Sequence, residues 1–195
     1  MQFPDRPVPI LTPRILLRPP KPGDGQAIYE AVVESLAELR RFMPWAQEEP
    51  RVHLSEAFAF EAAESWAESS NTTLSLPLLM FDRTTHRFLG GTGFHNLNWK
   101  GGIAEIGYWL RTAATGRGYM YEAVIAQTYY AFHQLHLKQV VISCDVSNHL
   151  SMRIPEALGF RLAATQAAEN SIASSLDMRF VRENTLGLPK SGVSW

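Results

Sequence analysis

The stretch that most restricts how this chain can fold is residues 105–124, Glu-Ile-Gly-Tyr-Trp-Leu-Arg-Thr-Ala-Ala-Thr-Gly-Arg-Gly-Tyr-Met-Tyr-Glu-Ala-Val. It reads as an apolar strand that passes through a short loop to Gly116, Arg117 and Gly118 and then straight into a helix. The first amides of a helix have no partner inside it, and its dipole makes that end positive. Glycines there let the backbone close on an anion with no side chain in the way. The pattern fits a phosphate or pyrophosphate cradle; Gly-X-Gly alone fits an ordinary strand–helix turn equally well. Two familiar cradles are excluded. A Walker loop needs Lys and then Ser or Thr after its last glycine, where this chain has Tyr119 and Met120. A dinucleotide fingerprint needs a third glycine, and Tyr121 stands in its place.

The chain's 195 residues are expected to form one domain (1–195) with a full core, since 46% are hydrophobic and 19% charged. The net charge of −1 and the lack of any Lys/Arg run argue against a nucleic-acid or membrane surface. No stretch approaches the about 20 apolar residues of a membrane span, and the N-terminus lacks a signal-peptide pattern. The single cysteine, Cys144, excludes an internal disulfide framework and reads as a buried strand thiol within Val-Val-Ile-Ser-Cys. A cytoplasmic location follows as an expectation.

Along the chain, residues 10–18 read as a first strand. A helix follows Asp24 to about residue 36, then a short helical turn over 39–45 and a second helix over 53–69. Strands are expected at 76–81, 88–97 and 103–111, joined by turn-rich segments at 82–86 and 98–102. A third helix starts at Gly116. A strand at 139–144, a helix at 148–158 and two closing strands at 160–168 and 172–181 complete the order, with an irregular tail from 186. The order β-α-α-β-β-β-α-β-α-β-β is mixed α/β. Most strands pair as antiparallel hairpins, while the fourth and fifth bracket a crossover helix and run parallel.

With its elements in that order, the chain resembles the GNAT superfamily of acyl-CoA-dependent N-acyltransferases, and within it the RimJ/RimL-type branch. The resemblance rests on Leu11-Thr-Pro-Arg-Ile-Leu-Leu-Arg18, Phe42-Met-Pro-Trp45, Gly90-Gly-Thr-Gly-Phe-His95, Ala104-Glu-Ile-Gly-Tyr-Trp109, Asn148-His-Leu-Ser151 and Glu156-Ala-Leu-Gly-Phe160. It implies a twisted, mostly antiparallel mixed sheet of about seven strands flanked by about four helices. It also implies acetyl-CoA as cosubstrate, no metal, and an acceptor amine such as a ribosomal or other protein N-terminus; it allows a homodimer. The implied pyrophosphate loop falls on residues 113–118. Ala113 stands where the family has Gln or Arg, which leaves a backbone cradle formed by Thr115, Gly116, Arg117, Gly118, Tyr119 and Met120. Arg117 either adds charge to the phosphates or is a solvated surface arginine. The end of the preceding strand, Trp109, Leu110 and Arg111, is implied to pair with the pantetheine arm, and Asn148 to touch it.

An amine attacks a thioester only as the free base, so a proton must be removed. An N-terminal amine, titrating near about 8, needs less help than a lysine near about 10.4. Glu105, the one carboxylate in an apolar strand, is the candidate general base; in the same position it could instead be an edge residue paired with Arg14 or Arg18. His95 is the alternative base. Many family members place a proton-donating tyrosine seven residues after the asparagine, where this chain has Pro155. Ser151 is then the candidate donor to the departing thiolate, or else a first-turn residue bonding its own backbone. Pro155 within a helix predicts a kink or a late start. His133 and His136 show no third ligand at metal-site spacing. Readings of other classes are an idle acyl-CoA-binding module, a transferase of another acyl group such as succinyl, and a nucleotide-binding domain. The acceptor is expected to be selected by Phe42, Met43, Trp45 and the 166–171 segment.

Overall fold

Thr12 breaks the opening apolar stretch in two. Its amide donates to the Ile15 carbonyl (3.0 Å) and its hydroxyl accepts from the Ile15 amide (2.9 Å). This tight reversal leaves two short strands, β1 (Ile10–Leu11) and β2 (Ile15–Arg18), where the sequence predicts one. The computed structural model describes residues 4–68, 72–167, 176–189 and 192–195. After β2 come α1 (Gly25–Glu34), the single turn α2 (Leu36–Leu39), a 3-10 turn (Pro44–Gln47) and α3 (Val52–Ala67). The strands β3 (Leu76–Asp82), β4 (Phe88–Asn98) and β5 (Ile103–Leu110) lead to α4 (Tyr119–His133). The chain closes with β6 (Gln139–Asp145), α5 (His149–Ala157), β7 (Arg161–Ala167) and β8 (Leu176–Arg182). Of the sequence readings at the end of the chain, those at 168–175 lie outside the described residues.

The strands form one sheet in the order β1-β2-β3-β4-β5-β6-β8-β7, antiparallel throughout except for β5 beside β6. The expected fold class holds. The eighth strand comes from the break at Thr12, and the fifth helix is the one-turn α2. Leu76, Leu78, Met80, Phe94, Ile106 and Ile142 pack one face against Ala123, Val124 and Tyr130 of α4. Leu79, Phe88 and Trp109 meet Ile28, Val32 and Ala59 of α1 and α3 on the other. Helix α4 starts three residues later than Gly116, because Gly116 (φ +72°) and Gly118 (φ +75°) lie in the left-handed region, which a right-handed helix cannot include. The end of the chain is docked: Ser194 bridges to Leu11, and Trp195 packs edge-on against Tyr130 at 5.9 Å.

Candidate active site

The site begins where β5 and β6 part. They pair in parallel at Ile103, Ala104 and Glu105, against Gln139, Val140 and Val141, and then diverge. Backbone groups alternate in direction along a strand. Trp109 faces β4 opposite Gly91, and the Arg111 amide donates to Leu89 at 2.9 Å. Tyr108 and Leu110 therefore turn their N–H and C=O groups into the opening. Of the three residues expected to meet the pantetheine arm, only Leu110 presents backbone to the gap, and Tyr108 joins it.

The mouth of this opening is the start of α4. Its first helical hydrogen bond is Glu122 N–H to Gly118 O, and the amides of residues 116–121 donate to no acceptor among the described residues. A Cβ on Gly116 would meet nothing within 4 Å, so this turn is open to a ligand. Thr115 contributes less, since its amide and hydroxyl are both bonded to the Thr112 carbonyl (3.1 and 2.8 Å). Met120 places its side chain in the core and offers only its amide. Arg117 is exposed, and its carbonyl accepts from Arg14 (2.9 Å).

Two clamps hold the cradle. Glu122 accepts from the Thr12 hydroxyl (2.5 Å), the Arg14 amide (2.9 Å) and the Arg14 guanidinium (2.6 Å). Burial pushes its carboxyl upward, but these bonds hold it below the usual carboxylate range. The Arg14 guanidinium also lies over the Tyr119 ring (4.9 Å), whose hydroxyl donates to Asp82 (2.7 Å). On the other side, Glu34 accepts from the Arg111 guanidinium and the Ala113 amide (2.9 Å), and its carboxyl is held down to about 2, chiefly by Arg111. The Arg111 side chain is thus a brace for the loop. Sequence reasoning missed Glu34, Tyr108 and Glu122; each acts on a segment far away in the chain, so no local spacing reveals it.

At the other end of the opening stands α5. Asn148 caps it, accepting from the Ser151 amide at 3.1 Å. The Ser151 hydroxyl has no protein partner among the described residues, so it is not used in capping. The expected late start at Pro155 does not occur; α5 runs through it. Pro155 has no N–H for the Ser151 carbonyl, and the Tyr108 hydroxyl donates to that carbonyl instead, at 3.0 Å. Burial pushes the Tyr108 phenol up, keeping it a donor. The signal was available: a proline inside a helix leaves a carbonyl that another donor must meet. Nearby Cys144 is buried, and burial first, then Asp177, Asp145 and Glu156, push its thiol up to about 12.

Glu105 and His95 are cross-strand partners in β5 and β4 and so share a face, the one toward α1 and α3. Glu105 is half-buried and accepts from Asn96 at 3.2 Å in an exposed bond, a wetter setting than its apolar strand suggests. Arg14 and Arg18, its sequence-stated alternative partners, are paired with Glu122 and Asp24. His95 contacts Ser75 through Nδ1 (3.1 Å), and burial pushes its imidazole below the usual value against an upward pull from Glu105. Asp145 and Asp177, opposite one another in β6 and β8, lie on the same sheet face as Glu105. Burial, then Asp145 and Glu105, push the Asp177 carboxyl up. Among the described residues no group of three or more His, Cys, Asp or Glu is placed to hold a metal.

The fold has known counterparts. The chain is 26% identical over 147 residues to the Bacillus subtilis (strain 168) protein named "Putative ribosomal N-acetyltransferase YdaF", covering 75% of this chain and 77% of that one. Its fold is similar to that of Mycobacterium smegmatis RimJ in complex with CoA-disulfide (TM-score 0.80, 18% identity, 99% of this chain and 98% of that one). It is also similar to RimL, a ribosomal L7/L12 alpha-N-protein acetyltransferase solved with coenzyme A (TM-score 0.79, 20% identity, 89% and 96%). The description "Acetyltransferase (GNAT) domain" matches residues 14–161, from the Arg14 clamp through the cradle to the start of β7, and the chain belongs to that family of acetyltransferases.

Proposed function

We propose that residues 1–195 act as one catalytic domain, in the cytoplasm, that transfers acetyl from acetyl-CoA to a primary amine, the α-amine of a polypeptide. The observation that carries this reading is the run of unbonded amides at 116–121, set at the mouth of the opening that Tyr108 and Leu110 line. Amides on a positive helix end suit a pyrophosphate. The open edge of β5 suits the amide-bearing arm of the same molecule, pairing as a strand would. RimL and RimJ are described with coenzyme A and a CoA-disulfide. The same chemistry comes to this chain through its own cradle.

The carboxylates of Glu105, Asp145 and Asp177 on the acceptor face favour an ammonium. Glu105 takes the proton, directly or through water, as the amine attacks the thioester carbon. The tetrahedral adduct then collapses, the C–S bond breaks, and the Ser151 hydroxyl hydrogen-bonds the departing sulfur. The test is thiol release from acetyl-CoA in the presence of peptide amines. Glu105→Gln is expected to lower turnover by about 10²–10⁴-fold, the worth of a general base, with CoA affinity kept. Turnover within a few-fold of the parent removes Glu105 from the role and makes His95 the next residue to replace.

A further inference from the structure

We propose that the acceptor amine carries a large apolar group next to its nitrogen, and that this group enters a cavity of about 650 Å³ between the sheet and α1/α3. This inference rests on the acetyl-transfer reading above and adds the chemical class of the acceptor.

The cavity wall is made by Met43, Trp45, Leu54, Phe58 and Trp109. Trp45, Leu54 and Phe58 are 49%, 45% and 43% exposed, and this exposure converges on one concave surface instead of scattering over the molecule. Trp45 and Trp109 meet at 5.8 Å between ring centroids, fixing one side of the entrance. The floor is hollowed by missing side chains. A Cβ on Gly91 would lie 2.6 Å from the Trp109 indole nitrogen, and one on Gly107 would lie 2.9 Å from the His95 ring. The two glycines thus let both rings lie close against the sheet, at the lining of the cavity.

The occupant follows from what the cavity offers and what it adjoins. His95 lines it, and the cross-strand partner of His95 is Glu105, so the proposed base stands beside the cavity. Glu105, Asp145 and Asp177 on that face place the ammonium, which leaves the cavity for whatever the amine bears. Two of its polar groups are already engaged, and two others, Glu48 and Arg51, are exposed. Thr92 Oγ1 donates to the Gly107 carbonyl (2.8 Å) and accepts from Gln127 (2.8 Å), and Glu49 at the rim is bonded to Arg40 (2.7 Å). A serine-sized hydroxyl set against the Trp45, Phe58 and Trp109 rings would lose water without gaining a partner from them, whereas a leucine or phenylalanine side chain would bury apolar surface there.

The test uses acetyl-CoA with peptides that differ only in the first residue, Ser, Ala, Leu or Phe, and phenethylamine as a non-peptide arm. We expect kcat/KM for the Leu and Phe peptides to exceed that for Ser by about 10- to 100-fold. Phenethylamine matching the Phe peptide would identify a small amine as the source of the same chemistry; its failure beside an active Phe peptide would identify a polypeptide. Phe58→Ser and Trp45→Ala, both at half-exposed positions, should each narrow the Phe-to-Ser ratio by about tenfold, read mainly in KM. Equal or better turnover of Ser and Ala peptides, or an unchanged ratio in both variants, overturns the inference and leaves acetyl transfer standing. Absence of thiol release with every acceptor overturns both.

Discussion

The bond from Tyr108 to Ser151 joins a strand to a helix across the opening, and its worth can be isolated. Tyr108→Phe keeps the ring and removes the hydroxyl that meets the Ser151 carbonyl at 3.0 Å. That carbonyl is partly buried and Pro155 supplies no replacement donor. The expected loss lies between the net value of one hydrogen bond and the penalty for an unmet carbonyl, about 1–2 kcal/mol. For a chain of this length that lowers Tm by about 2–8 °C. In a Pro155→Ala background the new amide at 155 bonds the same carbonyl, so Tyr108→Phe should there cost less than about 0.5 kcal/mol. The coupling of about 1 kcal/mol is measurable by urea denaturation of the four proteins of the cycle. Equal costs in the two backgrounds, within about 0.3 kcal/mol, would refute the substitution of phenol for amide.

Gly118→Val forces a branched side chain to φ +75°, so CoA affinity by calorimetry should fall at least tenfold with the fold largely kept; unchanged affinity would mean the anion binds elsewhere. Ser151→Ala removes a hydroxyl that caps nothing, so stability should stay within about 0.5 kcal/mol while the single-turnover rate drops. A thioester with a more acidic thiol should restore that rate; no rate loss at all would end the donor role. Glu122 has a folded-state pKa below its unfolded value of about 4.3, so its contribution is complete above that pH and is lost as pH falls through the lower folded value. Glu122→Gln should flatten the acid limb of a stability–pH curve there, and an unaltered limb would show that the clamp carries no charge-dependent stability.

What could be read from the chain was whatever is encoded locally. Alternating strands and the pair Gly116 and Gly118 declare themselves within a few residues. The break at Thr12 was hidden because its contacts with Ile15 are made three residues on, inside a stretch that alternates only weakly. Position in the chain alone cannot show that Glu34 holds the Arg111 guanidinium. Glu105 looked drier than it is because strand neighbours say little about an edge that opens to Asn96. The phenol of Tyr108 was the hardest to foresee, since its partner is set by a proline in another element.

The bridge between Leu11 and Ser194 bears on the order in which the molecule assembles. Strand β1 is an outer edge of the sheet, and its exposed groups are a template for any other extended chain. Here they are met by Ser194, through bonds of 2.7 and 3.0 Å. Contacts so distant in sequence form late, after the nearer hairpins have reduced the entropy of closing the loop. During refolding the sheet therefore passes through an interval with its edge complete and uncovered, when encounters between molecules compete with docking of the tail. Protein concentration during that interval, rather than native stability, governs the yield of monomer. A chain that stops before Val193 keeps every strand of the sheet and leaves that edge open permanently.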